Sequence, residues 1–278
     1  MVKCPHLRVL ICEDMQLLTC LFGLPAGLQH LDLTNTSVTC HPNPCWNFAH
    51  LTSCASTFTT LQLNDANPAA AEALAQALLQ MHVLSTLHLP DANLDDECLA
   101  ALAPALTSLA PALRDLDLDN NKRILSVEGL HKALAPVTDL MRLLYFQESL
   151  DRWWEVLPAL QGMRSLANVY LDLRDWGEDR STVEIATFLC SGSSPAIKEL
   201  DMYGSGSVTC QGLPQLLHAV AGKACLSQLT FRGVIDYHDD DMRTAVVDLA
   251  SALSKLIRLR HLDLGYNLIS PMTWQSFS

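Results

Sequence analysis

Basic residues are scarce in this chain. Its 278 residues include 18 lysines and arginines against 30 aspartates and glutamates, which gives a formal net charge of -12. A protein that binds nucleic acid mainly through the phosphates needs a basic surface. The composition therefore argues against nucleic acid as the main ligand and favours a basic protein partner.

Long apolar runs are also missing. The longest uncharged apolar stretch runs from Cys98 to Leu113 and is interrupted by Pro104 and Pro111. It is shorter than a membrane-spanning helix needs to be. The first residues, MVKCPHL, do not have the pattern of a signal peptide. The sequence therefore predicts no membrane segment and no membrane partner.

The ten cysteines need not form disulfide bonds, because a chain of 278 residues with a core built from repeats does not need disulfides to stabilise its fold. We expect them to be reduced in the cytosol or nucleus, and we assign the protein to the cytoplasm. Four residues in the second repeat have a spacing near that of small zinc sites: Cys40, Cys45, His50 and Cys54. The spacing matches no zinc-ligand pattern closely, and buried cysteine behaves as a small apolar residue. Packing is therefore the prediction, with no metal and no cofactor, and a zinc site is the alternative.

Motifs for catalysis are absent as well. Gly222 and Lys223 are followed by Ala224, and no glycine stands five residues before Gly222 to complete a phosphate loop. The glycines and serines of residues 204–207 fall in a repeat turn without the strand-to-helix setting of a nucleophile elbow. The sequence predicts that the protein is not an enzyme. A site assembled from distant repeats is the alternative.

The chain is rich in one repeated pattern, LxxLxL. Its clearest copy is LRDLDLDNN, from Leu113 to Asn121, with apolar residues at the first, fourth and sixth places. Ten copies occur, and they start at Leu7, Leu28, Phe58, Leu84, Leu113, Leu140, Leu166, Ile197, Leu226 and Leu259. Each copy should form a short strand with its fourth and sixth residues facing the core. The third, fifth and seventh residues should then face outward.

The pattern resembles the ribonuclease-inhibitor-like class of leucine-rich repeats, which also occurs in Ran GTPase-activating proteins and in the sensor regions of NOD-like receptors. The ninth-place asparagine of this class stands here as Asn121 and Asn267. The resemblance implies an α/β solenoid shaped as a horseshoe, with parallel strands on the concave face, helices on the convex face and about ten repeats.

We expect a single leucine-rich-repeat domain over residues 1–278. The first copy starts at Leu7 and few residues follow the last, so neither edge has the cap that a solenoid normally carries. This favours a piece of a longer array with open ends. A complete but poorly capped protein is the alternative.

Copies five to eight carry acidic and aromatic residues at their outward places. If adjacent strands align in register, these residues form one patch on the inner surface, where solenoids bind their partners. Aromatic residues beside charges are common anchors of protein interfaces. The predicted partner-binding residues are Asp115, Asp117, Asp119, Phe146, Tyr170, Asp172, Glu199, Asp201 and Tyr203. A solvated acidic face is the alternative, and clustered exposed rings argue against it.

These observations predict a non-catalytic scaffold that binds a basic protein partner on an acidic, aromatic concave face. The resemblance implies two alternatives. One is a regulator of a GTPase or of another enzyme, as in Ran GTPase-activating proteins. The other is the sensor region of a NOD-like receptor.

Overall fold

The repeated leucines lie in short parallel strands. The computed structural model describes residues 4, 6–12, 16–17, 24–34, 37–38, 48–64, 71–144, 157–172, 179–191, 196–204, 208, 212–234 and 242–267. The chain divides into two compact units, Met1–Leu150 and Asp151–Ser278. The expectation of one domain that belongs to a longer array stays a prediction.

The first unit alternates strands with helices. Its strands are β1 (Val9–Ile11), β2 (Gln16–Leu17), β3 (His30–Leu33), β4 (Ser37–Val38), β5 (Thr60–Leu63), β6 (Thr86–His88), β7 (Asp115–Asp117) and β8 (Arg142–Leu144). Its helices are a 3₁₀ helix (Phe48–Cys54), α1 (Ala71–Leu78), α2 (Asp96–Leu109) and α3 (Val127–Leu134). Strands β1, β3, β5, β6, β7 and β8 pair in that order, all parallel, and β2 pairs with β4.

The second unit repeats the same alternation. It contains α4 (Leu157–Leu160), β9 (Asn168–Asp172), α5 (Asp179–Cys190), β10 (Glu199–Tyr203), α6 (Leu213–Ala221), β11 (Gln228–Arg232), α7 (Met242–Ser254) and β12 (His261–Asp263). Strands β9 to β12 pair in sequence order and are parallel. In both units helices also contact the next helix along the chain. The predicted α/β repeat architecture is confirmed.

The core of each unit is built from rows of apolar side chains in register. In the first unit Leu31, Leu61, Leu87, Leu116 and Leu143 are direct partners on successive strands, and each is buried. The corresponding row of the second unit consists of Val169, Leu200 and Leu229, which are buried, and of Leu262 on β12, which is 43% exposed. The inward direction predicted for the fourth place is thus confirmed for β3 and for β5 to β11. The side of the sheet that carries the third, fifth and seventh places is called the outward face below.

Carboxylates begin the second helix. The side chain of Asp95 accepts a hydrogen bond from the backbone N–H of Cys98 at 3.0 Å and caps α2. The side chain of Asp96 reaches the next repeat, where it accepts from the backbone N–H of Ser126 at 2.8 Å. A helix-start carboxylate therefore also joins two repeats.

The two ninth-place asparagines join repeats through their side-chain amides. Asn121 is fully buried and donates to the backbone oxygens of Leu89 and Leu118 at 2.9 and 2.8 Å. Its Oδ1 accepts from the backbone N–H of Leu94 at 3.0 Å. Asn267 donates in the same way to the oxygens of Phe231 and Leu264. These bonds satisfy backbone groups that the short strands leave unpaired.

The described helices include none that is both long and apolar enough to cross a membrane.

Candidate partner-binding surface

The predicted site residues fall in both units. Asp115, Asp117 and Asp119 belong to the first unit, at or just after β7. The second unit carries four of the predicted residues on its outward face, namely Tyr170, Glu199, Asp201 and Tyr203. Phe146 and the side chain of Asp172 lie outside the described part of the chain. The site therefore has to be described as two groups, one in each unit.

A chain of polar contacts crosses the outward face of the first unit. Asp32, Gln62, His88 and Asp117 are direct partners on β3, β5, β6 and β7. In the amide orientation of Gln62 that satisfies both neighbours, its nitrogen donates to Oδ2 of Asp32 at 2.7 Å. Its oxygen then accepts from Nδ1 of His88 at 2.9 Å. The face is thus ordered by contacts between side chains of different repeats.

Asp115 is paired within its own unit. Its Oδ1 lies 3.2 Å from Nε2 of His88, and its Oδ2 lies 3.3 Å from a guanidinium nitrogen of Arg142. Burial raises the pKa of this carboxyl, but the hydrogen bond of His88, its charge in the protonated form and the charge of Arg142 together lower the pKa by more. The net effect is a lowered pKa, so Asp115 is a carboxylate that the chain itself neutralises.

Asp117 also faces outward but is covered by its neighbours, with only 8% of its surface exposed. Its Oδ1 accepts a hydrogen bond from the backbone N–H of Asp119 at 2.8 Å. Burial raises the pKa of Asp117 by more than that hydrogen bond and the nearby His88 and Arg142 lower it. Asp117 is therefore largely covered, and Asp115 is already paired within the chain.

The carboxylates of β10 are arranged differently. Glu199 has Asn168 and Gln228 as direct partners, and Asp201 stands between Tyr170 and Thr230. The side-chain amide of Asn168 donates to Oε2 of Glu199 at 2.6 Å. Among the residues that the structure describes, no cation pairs with either carboxylate. Oδ1 of Asp201 is buried and has no hydrogen-bond partner there. Glu199 and Asp201 are thus two carboxylates on one side of β10 with no described cation beside them.

A row of stacked groups runs along the strand ends of the second unit. The rings of Tyr170 and Tyr203 are stacked with centroids 5.1 Å apart. The guanidinium of Arg232 lies 5.8 Å from the Tyr203 centroid and 5.9 Å from that of Tyr266. We call these four residues the stacked row. These contacts hold the rings close to one another and to the guanidinium.

Arg232 is also held by a carboxylate of the neighbouring strand. Its Nε lies 2.6 Å from Oδ2 of Asp263, and a second guanidinium nitrogen lies 2.5 Å from the same oxygen. The hydrogen bond from Arg232 lowers the pKa of Asp263, and a backbone hydrogen bond from Gly265 acts in the same direction. The arginine of the stacked row is therefore already paired with an acid.

The residues predicted for the patch did not include Arg232, Asp263 or Tyr266. Arg232 occupies the seventh place of the ninth copy, which was not included in the patch. Tyr266 occupies the eighth place of the tenth copy. This place lies in a turn, so the alternation of side chains along a strand does not predict the direction of its ring. Extending the outward places through the last two copies and into their turns would have found all three.

The alternative zinc site stays a prediction. Cys40, Cys45 and the side chain of His50 lie outside the described residues. The thiol of Cys54 is buried and donates to the backbone oxygen of Pro25 at 3.0 Å, as a packed cysteine does. Within the described ranges no three His, Cys, Asp or Glu side chains are grouped so that they could hold a metal ion.

Solved structures share this architecture. The leucine-rich-repeat-containing protein LegL7 from Legionella pneumophila matches with a TM-score of 0.51 and 19% identity, over 86% of this chain and 75% of that chain. The fold is that of a leucine-rich-repeat protein. A structure of the TLR13-ssRNA13 complex matches with a TM-score of 0.46 and 13% identity, over 87% of this chain. This chain spans only 36% of that TLR13 chain. No protein-family model and no curated protein matches the sequence.

Proposed function

We propose that this leucine-rich-repeat protein is a non-catalytic scaffold that binds a basic protein partner on its outward face. The observation that carries the proposal is the acidic pair Glu199 and Asp201 on β10, which no described cation neutralises. Asp115, by contrast, is paired with His88 and Arg142. The acidic pair lies beside the stacked rings of Tyr170 and Tyr203.

In this proposal, charge attraction acts first and packing of side chains acts second. The net charge of -12 draws a basic partner towards the protein, and the carboxylates of both units contribute to that attraction. Contact then buries the rings of Tyr170 and Tyr203, while donors of the partner reach Glu199 and Asp201. Parallel strands stacked in register provide the extended surface that solenoid proteins use for binding.

The test removes the two charges without changing side-chain shape. The double variant Glu199→Gln and Asp201→Asn should bind a fluorescein-labelled lysine- and arginine-rich peptide about tenfold more weakly, because charge-assisted hydrogen bonds are lost. Fluorescence anisotropy measures the dissociation constant. The matched control is Glu72→Gln with Glu128→Gln, which removes two exposed carboxylates from helices α1 and α3.

The two double variants have the same net charge. Weaker binding in the β10 variant alone therefore reports a local contact. Equal affinities of both variants and the wild type would show that the acidic pair is only a solvated surface, and the proposal would be wrong.

A further inference from the structure

The eighth place of the repeat tends to adopt a left-handed backbone. Asp91, Asn120 and Gly233 occupy it with φ values of 50°, 56° and 61°. Asparagine, aspartate and especially glycine tolerate this conformation. Tyr266 occupies the eighth place of the last copy with φ of 61°. A bulky aromatic side chain is unfavourable there, so backbone preference does not explain the tyrosine.

Core packing does not explain Tyr266 either, because 84% of its surface is exposed. Its ring lies near the guanidinium of Arg232, which Asp263 already holds in place. The fold therefore carries both backbone strain and an exposed ring at one position. Strained residues of this kind concentrate at binding sites, so the position indicates a role outside folding.

The stacked row shows which chemical group lies against the face of a tyrosine ring in this protein. Within the row the Arg232 guanidinium lies near both the Tyr203 and Tyr266 rings, with the carboxylate of Asp263 beside it. The electron-rich face of a tyrosine ring attracts a cation, most often arginine. The exposed part of the Tyr266 ring offers the same chemistry to a second guanidinium. The acidic character of the protein makes a cation the better match than a phosphate.

We infer that Tyr266 is an aromatic anchor of the partner-binding surface and receives an arginine side chain of the basic partner on its exposed ring. This inference rests on the proposed function and adds the residue type that is recognised. A single-stranded RNA would also stack on tyrosines, but the arginine of the row is bound to Asp263 and the chain is strongly acidic.

The decisive variant is Tyr266→Asn. It places at the eighth position the residue that Asn120 provides in the fifth copy, so the fold should melt no lower than the wild type. The probe is a short fluorescein-labelled peptide of alternating glycine and arginine. Loss of the ring should weaken its binding about fivefold, the effect of one cation–π contact. Tyr266→Phe keeps the ring and should bind like the wild type.

Two further probes define the chemistry. A peptide in which citrulline replaces arginine has the same shape without the charge and should bind weakly to every variant. Equal binding of the citrulline and arginine peptides would overturn cation recognition. The wild type could instead bind a single-stranded RNA more tightly than the arginine peptide, and Tyr266→Asn could abolish that binding. Tyr266 would then be a stacking platform for bases, and this result would also overturn the inference.

The two proposals fail separately. If Tyr266→Asn binds the arginine peptide as tightly as the wild type, the inference is wrong. The scaffold proposal then still stands, provided that Glu199→Gln with Asp201→Asn weakens binding. If the wild type binds no basic peptide, both are wrong.

Discussion

Asp115 and Asp117 stand two residues apart on β7, and their pKa values are shifted in opposite directions. Asp115 gains His88 and Arg142 as partners, whereas Asp117 is covered by neighbouring side chains. The same residue type on the same strand is therefore stabilising at one position and costly at the other. Cross-strand neighbours, which lie far away in sequence, decide between the two.

Isosteric neutralisation should reveal the difference at neutral pH. Asp115→Asn should lower the free energy of unfolding by about 1–2 kcal/mol, because Arg142 loses its carboxylate partner and His88 loses a carboxylate neighbour. Asp117→Asn keeps an oxygen for the N–H of Asp119 and removes a buried charge, so stability should be unchanged or up to about 1 kcal/mol higher. Urea unfolding measures both values. Equal destabilisation by the two substitutions would contradict the pairing described for β7.

The pH dependence follows from the signs of the two shifts. The lowered pKa of Asp115 contributes stability above its ordinary value of 3.8, and this is lost as pH falls through the folded-state pKa. The raised pKa of Asp117 means that protonation favours the folded state as pH falls from that pKa towards 3.8. The difference between Asp117→Asn and the wild type should therefore vanish at a higher pH than that for Asp115→Asn.

At the scale of elements, the leucine pattern was sufficient to predict the strands. The alternation of Leu116 and Leu118 with aspartates leaves one arrangement that buries the leucines and places the acids on the opposite side of the strand. Asp95 before α2 also signals the helix start from local chemistry alone. Pairing of Asp115 with His88 and Arg142 could not be predicted in this way. It depends on which side chain of the next repeat occupies the direct partner position.

Asn121 is the clearest test of how elements are joined. Asn121→Ala should lower the free energy of unfolding by about 3 kcal/mol, because it leaves a backbone N–H and two backbone oxygens without their partner in a buried site. Asn267→Ala is the control, since Asn267 makes similar bonds in a site that is only partly buried. Thermal and urea unfolding measure both. An equal and small loss in the two variants would show that water can replace the amide of Asn121.

At the scale of the whole molecule, the excess of acid should control the rate of encounter. We expect the association rate constant of the arginine peptide to fall about tenfold between low and high salt, because screening weakens long-range attraction. The dissociation rate constant should change less. Stopped-flow fluorescence measures both, and the citrulline peptide is the neutral control. An association rate that does not respond to salt would mean that steering plays no part.

Because the core residues and the surface residues form separate in-register rows, the two rows can change differently during evolution. If the repeat that contains β6 were deleted, Leu61 would meet Leu116, and the leucine row would remain continuous. On the other side of the sheet, Gln62 would meet Asp117 in place of His88. The loss of one module would thus keep the leucine row but remove the contacts that Asn121 and Asp115 make with that repeat, and it would create a new combination of surface groups for selection to act on.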